Sequence, residues 1–362
     1  MSEPWILDVD SSVKPVYGHQ EGAVVGYNPT KPGRPSHVYH TYAMAEVRLV
    51  LDVEVTAGNA HHASHGLPGL IRLLDGMAAS ERPELVRGDA AYGSERVMSD
   101  LEAREQDYLF KLRMTKKVQR QVAKLAAQRG WRDAGQGWQA AETELQLSGW
   151  SRKRRVVVLR RRIDKDTSTL LSHQSDTAGQ TPSLVEIIAP DRTIYEYTAL
   201  VTSTNAEPLT LAGLYRSRAD AENILDELKN HWGWGGFTTH DLARTQTMAR
   251  MTALVYNWWS LFVRLIDPMT PREAITSRPL LMDGVARATR HAGRTTLTIT
   301  SAHGQHPGMR RAFAEVAAFL ADLRQNAPQL TTVERWCRIL ARALTPYLFG
   351  RTPNPPPNLL PA

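Results

Sequence analysis

Residues 215–229 read Tyr215-Arg216-Ser217-Arg218-Ala219-Asp220-Ala221-Glu222-Asn223-Ile224-Leu225-Asp226-Glu227-Leu228-Lys229. On a helix at about 100° per residue, with Tyr215 at zero, Arg218 falls near about 300°, Glu222 near about 340° and Lys229 near about 320°. A tyrosine, an arginine, a glutamate and a lysine thus share one stripe about 60° wide. Ala221, Ile224, Leu225 and Leu228 fill the adjoining sector, which marks the face for a core. Asp220 and Glu227 lie on the far side, and Asp226 is the internal rival of Glu222. On spacing alone, an amphipathic helix with an i,i+4 pair of Arg218 and Glu222 accounts for the same pattern.

Upstream of this stretch, the sequence reads as α/β. Trp5 to Asp10 is a short apolar strand, and alternation puts Asp8 and Asp10 on one face. Ser36 to Ala45 and Val47 to Val55 read as strands, His62 to Ala79 as a helix and Leu85 to Asp89 as a strand. Ser94 to Arg104 reads as a helix and Tyr108 to Arg113 as a strand. That order predicts a mixed sheet with helices on its faces. Asp10 and Asp89 both stand at predicted strand ends, where α/β sheets present ligand-binding groups. Taken singly, each is equally a turn or helix cap.

A helix from Lys116 to Arg129 is followed by β-like stretches at Trp138 to Trp150, Arg152 to Arg162 and Arg192 to Thr202. Residues 164–181 are polar and read as loop. From Pro208 the chain is mainly helical, roughly 217–231, 240–266, 271–277, 309–325 and 331–345, with a short strand near 294–300. The divisions are 1–113 and 206–266 as the two parts of one core, 114–205 as a β-rich insertion, 267–350 as a helical region and 351–362 as a Pro-rich tail.

The chain has 362 residues, 42% apolar and 22% charged, an ordinary globular composition. Its one cysteine, Cys337, excludes an internal disulfide framework and a cysteine-based zinc site. The most apolar helical run, Thr252 to Ile266, is interrupted by Asn257 and Arg264 and is short of the roughly 18 residues a membrane span needs. No secretory signal pattern opens the chain. These features point to a reducing cytoplasmic setting.

The charge is uneven. Residues 111–165 hold 16 Lys or Arg against 4 Asp or Glu, a net of +12. The whole chain is +7, so the remainder carries −5. Local basicity of this kind is an electrostatic footprint for a polyanion. Arg152, Lys153, Arg154 and Arg155 form its densest run, and they read as phosphate contacts or as a solvated face. Trp131, Trp138 and Trp150 lie among the basic residues, where they either stack on bases or pack the β insertion.

The spacing Tyr-x2-Arg-x3-Glu-x6-Lys, on Tyr215, Arg218, Glu222 and Lys229, resembles the signature of the DDE transposases of bacterial insertion sequences. The resemblance is to the IS-four group and most closely its IS-thirteen-eighty branch. Other stretches agree: Leu7-Asp8-Val9-Asp10-Ser11-Ser12-Val13 with Tyr17-Gly18-His19-Gln20-Glu21-Gly22, Gly88-Asp89-Ala90-Ala91-Tyr92-Gly93, and Trp232-Gly233-Trp234-Gly235-Gly236-Phe237. Similarity runs from about residue 5 to about residue 265.

The resemblance implies an RNase H-like core and a β-rich insertion between the second Asp and the Glu. It places the three catalytic, metal-holding carboxylates at Asp10, Asp89 and Glu222, with Asp8 as the alternative to Asp10. It implies Mg²⁺, with Mn²⁺ as a substitute. The expected reaction is cleavage and strand transfer at insertion-sequence ends, by in-line attack of water or a 3′-OH on phosphorus between two ions about 3.5–4 Å apart. Tyr215, Arg218 and Lys229 then hold the transposon-end phosphate. The partners it implies are double-stranded DNA, as transposon ends and target, and a second copy assembled on that DNA in the bacterial cytoplasm at the nucleoid. Relatives carry an N-terminal helical domain that recognises the ends, whereas this sequence opens almost at once on the first catalytic strand, so a truncated element is expected. A non-catalytic DNA-binding remnant and a simple nuclease of the same fold are the alternatives.

Overall fold

The structure is a computed structural model that describes residues 5–28, 31–128, 130–163, 185–188, 194–236, 239–267, 273–281, 286–299, 306–325 and 329–348. The predicted loop at 164–181 and the tail at 351–362 lie outside these residues.

Strand β1 (Ile6–Pro15) leads through a two-residue strand, β2 (Val24–Val25), into β3 (Pro35–Met44) and β4 (Leu49–Ala57). Then come α1 (His62–Asp75), β5 (Leu85–Gly88), α2 (Glu95–Glu102) and β6 (Tyr108–Lys111). β1 pairs antiparallel with β3, and β3 antiparallel with β4. On its other side β1 pairs parallel with β5, and β5 parallel with β6. The order β4-β3-β1-β5-β6, with three antiparallel strands followed by two parallel to the first, is the RNase H arrangement.

The alternation of β1 builds the layers. Leu7 and Val9 point to one face, where α1 supplies Leu67, Leu70 and Leu74 and α2 supplies Val97, Met98 and Leu101. The opposite face holds Tyr39 of β3 with Val53 and Val55 of β4. It is covered by α5 (Ala219–Asn230) through Ala221, Ile224, Leu225 and Leu228, the stripe read from the sequence. The long α6 (Leu242–Ile266) adds Ala249, Ala253 and Tyr256.

Helix α6 also closes the edge of the sheet. The Asn257 side chain accepts from Val50 N at 2.9 Å and donates to Val50 O at 2.7 Å, standing in for a neighbouring strand. Arg250 donates to Val53 O at 3.1 Å and to both oxygens of Asp52. Arg264 reaches Val47 O. The polar residues that interrupt this apolar helix are thus edge caps for β4. Among the described residues no helix is long and apolar enough to cross a membrane.

Three expectations change. First, β1 does not end at Asp10: its ladder with β3 runs from Asp8 opposite Ala43 to Pro15 opposite Ser36. Asp10 nevertheless sits at a strand end, because β5 stops at Gly88, the partner of Val9. Second, the basic β segment, read as an antiparallel insertion, adds its strands to the central sheet. After α3 (Lys116–Ala126), the strands β7 (Arg132–Asp133), β8 (Trp138–Leu145), β9 (Arg154–Ile163), β10 (Val185–Ile188) and β11 (Ile194–Thr202) continue the central one, with β11 antiparallel to β6. Third, residues 215–229 are not one helix. Tyr215 lies on α4 (Pro208–Arg216), and a tight i+3 turn at Ser217 and Arg218 precedes α5. Beyond α6, α7 (Ala274–Leu281) precedes a hairpin of β12 (Ala286–His291), a strand absent from the sequence reading, and β13 (Arg294–Ile299), and α8 (His306–Gln325) and α9 (Thr332–Leu344) follow.

Leu228 is fully buried where α5 meets the sheet. Leu228→Ala is expected to cost about 2–5 kcal/mol, read as a lower urea midpoint. An unchanged midpoint would show that α5 does not depend on this contact.

Candidate active site

The register of β1 on β5 puts Asp10 next to the point where the chain leaves β5 for Asp89. Asp89 folds its carboxylate back onto its own turn, with Oδ1 accepting from Ala91 N at 2.9 Å. Asp10 Oδ1 accepts from Ser11 N at 2.8 Å. Glu222 comes from the first turn of α5, and its side chain is 65% exposed.

Arg218 joins them. Its Nη2 is 2.7 Å from Asp10 Oδ2 and its Nη1 is 2.7 Å from Glu222 Oε1. Burial pushes the Asp10 carboxyl up to about 6; Arg218 opposes the rise, while Asp89 and Glu222 add to it. Tyr215 lies within the field of the same groups, and burial raises its phenol. Lys111, at the end of β6, is held below its ordinary value by burial and by Arg218, with Asp89 and Glu222 opposing. Lys229 is exposed on α5, two turns beyond Glu222.

Asp8 belongs to a different set. Arg87 of β5 donates to its two oxygens at 2.6 and 2.7 Å, and both side chains are buried. Arg87 Nη1 also donates to Ser217 Oγ at 2.7 Å and to Leu214 O. This ion pair fastens the turn between α4 and α5 to the sheet. Arg87 escaped the sequence reading; its signal was a charged residue inside the short apolar strand Leu85-Val86-Arg87-Gly88.

Among the described residues no three His, Cys, Asp or Glu side chains are gathered as a metal-holding group. The guanidinium of Arg218 stands between Asp10 and Glu222 and balances them. The donor set itself suits a hard divalent ion: three carboxylates from β1, the β5 turn and α5, close enough for Asp10 to feel the charge of the other two.

The basic run on β9 is largely turned inward. Arg154 is buried, with its guanidinium on Glu95 at 2.6 Å, on Glu102 at 2.7 Å and against the Trp150 ring. Arg155 binds Glu142 at 2.6 Å and the carbonyls of Thr204 and Ala206. Acids that α2 and β8 bring from outside the run pair both guanidiniums. Arg152 is 60% exposed and touches Glu102 at 3.0 Å, and Lys153 is exposed. Trp150 is buried, Trp131 packs edge-on to Tyr197 and under Arg160, and Trp138 lies under Arg161, so all three pack the sheet.

The strand order defines an RNase H-like fold. Within that class the chain belongs to the transposase DDE domain family, whose pattern matches residues 1–258. No curated protein matches the chain. Among solved structures it is similar to the cryo-EM structure of a piggyBac transposase synaptic complex with hairpin DNA, at 10% identity and a TM-score of 0.40. That alignment covers 99% of this chain and 60% of the other.

Burial raises the Glu95 carboxyl, but hydrogen bonds from Arg154, Ser151 and Ser99 bring it down to about 2 from the usual 4.5. A depressed carboxylate stabilises the fold above its unfolded value and loses that contribution as pH falls through the folded value. Stability is therefore expected to drop between about pH 4.5 and about pH 2, and Glu95→Gln to flatten that part of the profile. A variant profile parallel to the wild type would remove Glu95 from the account.

Proposed function

We propose that the chain is a transposase catalytic unit of the IS-four group, IS-thirteen-eighty branch, that cleaves DNA at insertion-sequence ends and joins the 3′-OH to target DNA. The observation that carries this reading is Arg218 bridging Asp10 of β1 and Glu222 of α5, with Asp89, just past the end of β5, near enough for its charge to act on Asp10. These carboxylates would hold Mg²⁺, with Mn²⁺ as substitute, which supplies activation of the attacking oxygen and stabilisation of the leaving one.

The protein's own groups do the rest. The β1–β5 ladder fixes the backbone at Asp10 and delivers Asp89 just past its end, so both carboxylates start from a rigid sheet. Arg218 is the natural partner of the scissile phosphate, since a guanidinium already placed between two acids can exchange one of them for a phosphate oxygen. Tyr215 and Lys111 flank the same oxygens, and Lys229 and Lys153 lie exposed for phosphates further along the duplex. DNA and a second copy of the chain, bringing two ends together, are the partners this reaction requires.

The test is a pre-cleaved duplex end with supercoiled plasmid in Mn²⁺, at low salt. The wild type is expected to nick and join; Asp89→Asn and Glu222→Gln are expected to do neither while still binding DNA. Joining that survives both substitutions would sink the assignment. Hydrolysis without joined product would reduce the chain to a nuclease of this fold.

Arg218 gives a second test. In DNA-free protein, Arg218→Gln is expected to bind Mn²⁺ several-fold more tightly by calorimetry, since two carboxylates lose their resident cation. The same variant is expected to lose DNA cleavage. Equal or weaker Mn²⁺ binding would mean that Arg218 does not occupy the cation's place.

A further inference from the structure

The connection between β1 and β3 stands beside the carboxylates and carries side chains that the reading above does not use. Tyr17 is 64% exposed, Val25 57% and Tyr27 50%. Single exposed apolar groups are ordinary, but these are grouped on one short connection. Burial pushes the Tyr27 phenol up, Arg113 lowers it and Asp89 adds to the rise, so this ring stands within the field of the second site carboxylate.

The connection is held in shape. Glu21 N donates to His240 O at 2.9 Å, and the Glu21 carboxylate accepts from Leu242 N at 2.9 Å. Gly58 N donates to Gly22 O at 3.1 Å. At Gly26 a Cβ would lie 1.9 Å from Gly58 O, so only glycine allows this approach. Asn28 Oδ1 accepts from Lys31 N at 3.0 Å. A surface ordered in advance loses little freedom on binding.

Its charge is of one sign at the tip. Lys31 Nζ bonds the Tyr17 phenol and lies 5.0 Å from the ring centroid, and Arg34 Cζ lies 4.8 Å from it. Both basic side chains are exposed. An aromatic post bearing two cations, on a connection that also carries a second exposed ring, fits a polyanion with flat groups: a nucleic acid strand.

We propose that this connection is a second DNA contact, in which Tyr27 stacks on an unpaired base beside the scissile phosphate while Lys31 and Arg34, posted on Tyr17, hold the backbone of the same strand. It rests on the reading of the chain as an enzyme that acts on DNA. The base supplies a flat face without regard to sequence, and the two cations supply register along the strand. No contact to base edges is needed, so the site serves any flank or target sequence.

The experiment measures binding of the full chain, without metal, to a labelled blunt duplex and to the same duplex with a short single-stranded extension carrying 2-aminopurine. Wild type is expected to prefer the extended duplex and to quench the fluorophore. Tyr27→Ala is expected to lose the preference and the quenching, and Tyr27→Phe to keep both. The double variant Lys31→Ala with Arg34→Ala is expected to bind about tenfold more weakly, with a log K against log salt slope shallower by about 1.4 for two single-strand phosphates. All side chains changed are exposed, so thermal midpoints should stay at the wild-type value. Wild type that binds both duplexes, with Tyr27→Ala and the double variant behaving identically to it, overturns this contact and leaves the transposase reading standing. Wild type that binds neither duplex overturns both.

Discussion

The buried pair of Asp8 and Arg87 is the constraint around which the site is assembled. Both side chains are out of water, and each guanidinium nitrogen that reaches Asp8 is matched to one oxygen. Removing one partner of such a pair leaves an uncompensated charge and costs about 3–5 kcal/mol. Arg87 has hydrogen-bonding capacity left over, and it uses it on Leu214 O and Ser217 Oγ. Those two groups lie at the end of α4 and in the turn that follows. The chain is therefore pinned to the sheet just before Arg218, and α5 starts in a direction that sends Arg218 toward Asp10 and Glu222.

Three carboxylates near one another repel, and the fold answers that repulsion with a built-in cation. Asp10 remains above its ordinary range despite Arg218, because burial and two acidic neighbours outweigh one guanidinium. The site is thus under-neutralised as it stands. On the proposed function, that residual negative charge would draw in a divalent ion, with Arg218 giving up its place to pair with phosphate. Electrostatic frustration in the DNA-free state and readiness for an anionic substrate are the same property seen from two sides.

Much of the core was legible because its signals are local. The alternation in Leu7-Asp8-Val9-Asp10 set the face of β1, and the apolar stripe of Ala221, Ile224, Leu225 and Leu228 set the buried side of α5. The spacing of Tyr215, Arg218, Glu222 and Lys229 singled out Arg218 and Glu222, which the fold pairs with each other and, through Arg218, with Asp10. What the sequence hid was long-range. The internal pairing of Arg154 was hidden because a charge count over a window omits Glu95 and Glu102, which arrive from α2. The end of β1 was misplaced because Ser11-Ser12 reads as a turn, while the ladder with β3 holds it extended. Arg87 was passed over since its partner lies on a different strand. In each case the deciding contact spans many residues, and periodicity carries no information about it.

The capping of β4 by α6 has a consequence for how copies of this protein can meet. A strand at the border of a sheet offers unpaired amide and carbonyl groups to any passing chain. Here Asn257 takes up both groups of Val50 and Arg250 takes the carbonyl of Val53, so that border has no vacancy for a visiting strand. Strand exchange and fibrillar stacking through β4 are thereby blocked. A complex formed at this border must be knitted together through helix surfaces, loops or nucleic acid rather than by strand pairing.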